Sequence, residues 1–93
     1  MNIDLRQCRH VLALDQHRSF ARAAESLGLT QPALTRSLQV MEKSIGARLF
    51  DRTSRKVALT PDGRVFLPLA HEVLSKAEEA VRVMEERLGV ERG

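Results

Sequence analysis

A mainly α-helical chain is predicted: three short helices and a small two-stranded hairpin, then one long helix. Three observations predict it. Leu34, Leu38, Met41 and Ile45 recur at i, i+4, i+7 and i+11, the inner stripe of an amphipathic helix. Between Phe20 and Arg36, two helical stretches flank Gly28, a residue that enters a left-handed turn at little cost. From Phe66 through Ala70, Val73, Ala77 and Ala80 to Met84, apolar residues return at alternating intervals of four and three, the period of a heptad seam.

The first helix is predicted from Ile3 or Asp4 to Gln16, with Leu5, Cys8, Val11 and Leu12 facing inward. Ser19 caps the second, which buries Phe20, Ala23, Ala24 and Leu27 and ends at Gly28. Ala24 is small enough to let this helix back closely onto the third. Thr30 caps the third helix, Pro32 stands in its first turn where a missing N–H is harmless, and Gly46 stops it. Leu34 pins it to the core. At 100° per residue, the face opposite the core stripe presents Pro32, Thr35, Arg36, Gln39, Val40 and Lys43. A helix, a glycine turn and a second helix with a polar, basic outer face make a helix-turn-helix, whose second helix fits the major groove of DNA. Thr35, Arg36 and Gln39 combine one positive charge with groups that hydrogen-bond base edges or phosphates.

Leu49-Phe50-Asp51 and Val57-Ala58-Leu59-Thr60 flank the tip Arg52-Thr53-Ser54-Arg55-Lys56. The pattern predicts a wing whose cations Arg52, Arg55 and Lys56 rest on the DNA backbone or in the minor groove, with Arg52 alternatively pairing with a carboxylate to brace the hairpin. Thr60-Pro61-Asp62 supplies a cap, a proline and a carboxylate for the start of a long helix reaching about Leu88. Leu69, Leu74, Val81 and Leu88 broaden its stripe. Pro68 cannot donate to the carbonyl of Arg64, so a kink or a later start is expected there. The seam of Phe66, Ala70, Val73, Ala77, Ala80, Val81 and Met84 is the expected dimer interface. Residues 1–60 thus form a winged helix-turn-helix and residues 61–93 a linker helix.

Composition narrows the function. Ninety-three residues bound one compact domain and disfavour an enzyme with a deep enclosed pocket. Three Phe with no Trp or Tyr leave little material for base-stacking platforms. Residues 1–60 carry ten Lys/Arg against five Asp/Glu, whereas residues 61–93 carry five against seven, so the basic surface belongs to the first part. Cys8 is single and fills core, with no disulfide or paired-cysteine zinc site. His10, His17 and His71 lack partners at ligand spacing, so no metal or cofactor is expected, and no nucleophile or phosphate-loop motif occurs. The run Val65–Ala70 is too short to span a membrane, and charges break any leader pattern at the N-terminus. A soluble, cytoplasmic protein is expected.

The chain resembles the DNA-binding region of LysR-type transcriptional regulators over residues 3 to about 88. The resemblance rests on Leu5-Arg6-Gln7, Ser19-Phe20-Ala21-Arg22-Ala23-Ala24, and the run Leu29-Thr30-Gln31-Pro32-Ala33-Leu34-Thr35-Arg36. It continues through Met41-Glu42, Ile45-Gly46, Arg48-Leu49-Phe50-Asp51-Arg52 and Leu59-Thr60-Pro61-Asp62-Gly63. It implies a bacterial regulator that pairs through antiparallel linker helices on an interrupted, near-palindromic operator. It also implies an effector-sensing domain, absent from this chain, and a higher homo-oligomer for the parent protein. Gln31, Pro32, Thr35 and Arg36 match the family's DNA-contacting positions, and Arg55 matches a wing arginine that reaches the minor groove. Cys8, His10 and Val11 depart from the family's leucine and two aromatics, which implies looser packing of the first helix. The competing reading is a protein-interaction module that works through its last helix with the helix-turn-helix as scaffold. The basic outer face of the third helix, joined to a basic wing, favours DNA.

Overall fold

The computed structural model describes residues 1–52 and 56–89. Its elements run α1 (Leu5–His17), α2 (Phe20–Leu27), α3 (Gln31–Ile45), β1 (Phe50–Asp51), β2 (Ala58–Leu59) and α4 (Pro61–Leu88). Each helix begins where a side chain satisfies amides that have no partner inside the helix. Asp4 accepts from the Gln7 amide while the Gln7 side chain accepts from the Asp4 amide, a reciprocal capping box. Ser19, Thr30 and Thr60 accept from the amides of Arg22, Ala33 and Gly63. Gly28 and Gly46 close α2 and α3 with φ of 69° and 84°, left-handed values that a side chain would resist.

Three helices enclose the main core. Val11 and Leu14 of α1, Ala23 and Ala24 of α2, and Leu34, Leu38 and Met41 of α3 meet Leu49 and Phe50 at the root of the wing. The wing is a minimal antiparallel pair with Phe50 opposite Leu59 and Asp51 opposite Ala58. A second cluster joins Cys8, Ala70 and Leu74, with Leu12 and Phe66 packed against it. α1 is therefore buried on two sides, by α2 and α3 on one and by α4 on the other. Two sequence expectations change here. Leu5 leaves the inner stripe and is 39% exposed, whereas Leu14 joins it as a fully buried residue. Buried Cys8 has its pKa raised by burial and, less, by the charge of Asp4, which keeps it a thiol within the packing.

α4 starts at Pro61, so the later start does not occur, and the helix runs through Pro68 to Leu88. Pro68 and Arg64 are both exposed, so water can serve the Arg64 carbonyl that proline leaves without a donor. The base of α4 is pinned to the wing. The Thr60 amide donates to the Leu49 carbonyl at 3.0 Å, and the Thr60 hydroxyl donates to the Arg48 carbonyl. Gly63 lies so close that a Cβ there would collide with the Leu49 carbonyl. From this anchor α4 extends past the three-helix core, and the molecule measures 50 × 26 × 18 Å.

Candidate nucleic-acid interface

Burying Leu34, Leu38 and Met41 fixes what α3 shows to solvent. Gln31, Pro32, Arg36, Gln39 and Lys43 are exposed and Thr35 is half-buried. Gln31, Pro32, Thr35, Arg36 and Gln39 together line one shallow depression of about 430 Å³. Lys43 lies two turns beyond Arg36 on the same helix. Among the described residues no carboxylate pairs with Arg36, so its charge is available to a ligand. The depression lies at the start of α3, where the helix dipole adds positive potential.

The wing cations divide. Arg52, read from sequence as a DNA contact or as a cation that pairs with a carboxylate and braces the hairpin, makes such an ion pair here. Its guanidinium pairs with Glu42 and lies 5.9 Å from the centroid of the Phe20 ring. Glu42 is only 7% exposed, and its other oxygen accepts from the Leu49 and Phe50 amides at 2.6 and 3.3 Å. Arg52 and Glu42 thus brace the wing root against the far half of α3. Lys56 is exposed at the end of the tip. Arg55, with Thr53 and Ser54, lies outside the described residues.

On the other side of Arg36, a groove of about 580 Å³ runs between α1 and α3, lined in part by Arg6, Gln7, His10, Arg36, Ser37 and Val40. His10 forms part of its wall at 7% exposure, with Nδ1 2.7 Å from the Ser37 hydroxyl. Sequence reasoning found no ligand-spaced partner for His10 and marked it as a departure from a family aromatic. Its partner was invisible because it lies 27 residues away. Burial and then the charge of Arg6 lower the His10 pKa from 6.5, against an opposing pull from Asp4. A lowered pKa means that the unfolded chain takes up this proton first as pH falls. The stability contributed by neutral His10 is therefore intact above about pH 6.5 and is lost below it. His10→Asn keeps a hydrogen-bonding atom near the Nδ1 position but does not titrate. Its melting temperature should fall less than that of wild type between about pH 7.5 and 5.5. Equal shifts in the two proteins would refute this linkage.

The linker seam divides as well. Ala70 is 1% exposed and covered by α1, and Phe66 packs on both core clusters, so these two predicted dimer residues are already used within the chain. Ala77 is half-buried. Val73, Val81 and Met84 remain 41–51% exposed, as does Leu69, and Ala80 is exposed between them. The stripe is wide enough for α1 to cover one edge while Leu69, Val73, Ala80 and Met84 stay uncovered on another.

Among the described residues, no group of three or more His, Cys, Asp or Glu could hold a metal ion. No described helix is long and apolar enough to cross a membrane.

Residues 5–64 match the family of bacterial regulatory helix-turn-helix proteins of the lysR type. The SDS degradation transcriptional activation protein of Pseudomonas sp. (strain ATCC 19151) is 54% identical over 71 residues, 76% of this chain and 23% of that protein. The chain thus spans about a quarter of the length of such curated relatives. Among solved structures, the BenM DBD in complex with catB site 1 DNA superposes with a TM-score of 0.86 at 34% identity, covering 97% of this chain and 100% of that one. Vibrio fischeri DarR in complex with DNA gives 0.91 at 29% identity, covering 99% of this chain and 32% of that one.

Proposed function

We propose that this chain, which belongs to the lysR family of bacterial regulatory helix-turn-helix proteins, binds a specific duplex as a homodimer. In this reading α3 enters the major groove and the wing lies beside the minor groove. One observation carries it: Gln31, Pro32, Thr35, Arg36 and Gln39 converge on one exposed depression, with Arg36 in no ion pair among the described residues. Two structural neighbours described as DNA complexes support it. Gln31, Thr35 and Gln39 carry no charge and tune sequence preference, while Lys43, Lys56 and Arg55 serve phosphates, Arg55 from the minor groove. Two copies joined through α4 would read two half-sites of an interrupted near-palindrome. The domain performs no catalysis and uses no cofactor. Its parent protein responds to a small-molecule effector, assembles into a higher homo-oligomer and works in the bacterial cytoplasm on the nucleoid.

The test is a duplex selected from a random pool by the wild-type domain. Arg36→Ala should weaken its binding by about 1–3 kcal/mol and leave the melting temperature unchanged. Unaltered affinity at moderate salt would remove Arg36 from the interface. The exposed apolar face of α4 favours a second reading, a protein-interaction module. Failure to bind heparin at low salt would favour that module over DNA.

A further inference from the structure

We propose that His10 is a positioning residue for DNA reading: through Ser37 it fixes the rotation of the first turns of α3 against α1. The proposal rests on the DNA-binding reading above. The apolar anchors Leu34, Leu38 and Met41 lie along one stripe of α3. Apolar packing is non-directional, so a single stripe holds a helix at a distance more firmly than it holds its rotation. Ser37 stands at the edge of that stripe, next in sequence to Arg36. A hydrogen bond to it from α1 acts off the axis and resists rolling.

The bond has the features this role needs. It is 2.7 Å long, and His10 is 7% exposed. It also joins two helices rather than neighbouring turns of one. A low local dielectric strengthens such a bond and makes loss of either partner costly. If α3 rolled, Arg36 and Thr35 would swing across the DNA surface together, because both project from the same turn. Arg36 and Pro32 bound both the depression and the His10 groove, so the two surfaces share these side chains at the start of α3. The charged groups around His10 are Arg6 and Asp4 from the α1 end and Arg36 from α3. Burial and then Arg6 disfavour an imidazolium there, against Asp4, and a neutral ring can either donate to or accept from the Ser37 hydroxyl.

The experiment compares two probes, the duplex selected by the wild-type domain and a scrambled duplex of equal length. They are titrated with wild type, Ser37→Ala, His10→Leu and His10→Asn at neutral pH, with thermal melts run beside them. Ser37→Ala and His10→Leu should reduce the preference for the selected duplex about 5- to 30-fold, the range of one lost specific contact. Their binding to the scrambled duplex should stay within about twofold of wild type, since phosphate contacts tolerate a rolled helix. His10→Asn should restore the preference, a rescue that a general loss of packing would not give. Equal preference in wild type and a folded Ser37→Ala overturns this proposal and leaves DNA binding standing. A wild-type domain that selects no duplex overturns both.

Discussion

Glu42→Ala should lower the free energy of unfolding by about 3 kcal/mol, a large share of the roughly 5–15 kcal/mol expected for a domain of this size. The carboxylate does three things at once. It accepts from the Leu49 and Phe50 amides, both within residues at most 1% exposed, and it pairs with Arg52. Each buried amide left without a partner costs roughly 1–3 kcal/mol. Arg52 adds less, because its side chain is 24% exposed and water can take over part of the lost interaction. Among the described residues the Arg52 Nε is buried with no hydrogen-bond partner, and Glu42 is the carboxylate that pairs with this guanidinium. Glu42→Gln should fall between wild type and Glu42→Ala, since one amide oxygen can still accept. Arg52→Ala should cost less than Glu42→Ala, because the carboxylate keeps its two backbone donors. Urea unfolding at fixed protein concentration gives all three values. A midpoint for Glu42→Ala equal to wild type would show that water replaces the carboxylate and that the brace contributes nothing.

The same cluster shows where the sequence stops being legible. The sequence allowed Arg52 either a DNA contact or a bracing ion pair, but it did not name the carboxylate. Glu42 carried no warning, for a glutamate seven residues before Leu49 reads as an ordinary helix-surface charge. Only the three-dimensional return of the chain past the end of α3 brings the two together. Helix caps were different. Ser19, Thr30 and Thr60 act within three residues of themselves and the closing glycines within four, so local chemistry was sufficient. The core stripe of α3 was legible for a related reason: one face is buried and the period is unambiguous. The outer face followed by exclusion, which is why Pro32, Thr35, Arg36 and Gln39 were readable as a set. His10 and Ser37 were not, since each is unremarkable until α1 and α3 cross.

The seam of α4 was legible in period but not in partner. A heptad says that a stripe is covered; it does not say by what. α1 covers Ala70 and Leu74, leaving an adjacent arc in water. Ala77, near the middle of the sequence seam, therefore tests a dimer poorly: it is half-buried and borders a cleft with Leu5 and Arg9 of α1. A charge there would disturb the monomer as well.

Val73→Glu is the sharper substitution and should have the largest functional effect. Val73 is 41% exposed, so a carboxylate there stays hydrated in the isolated chain and the three-helix core should melt as before. In a pair of α4 helices that joins Leu69, Val73, Ala80 and Met84 to their counterparts, the same carboxylate would be desolvated against an apolar surface. The pair should dissociate. Each recognition helix would then bind its half-site alone, and the gain from linking two sites, about 10²- to 10⁴-fold, would be lost. Operator affinity should fall by that order, while retention on heparin, which needs only local cations, should change little. Sedimentation at about ten times the concentration needed for half-saturation of the wild-type operator reports the assembly state directly. Wild type should be a dimer there and Val73→Glu a monomer. A wild-type monomer that binds its selected duplex with one protein per site would refute the interface, and the uncovered face of α4 would then need another partner.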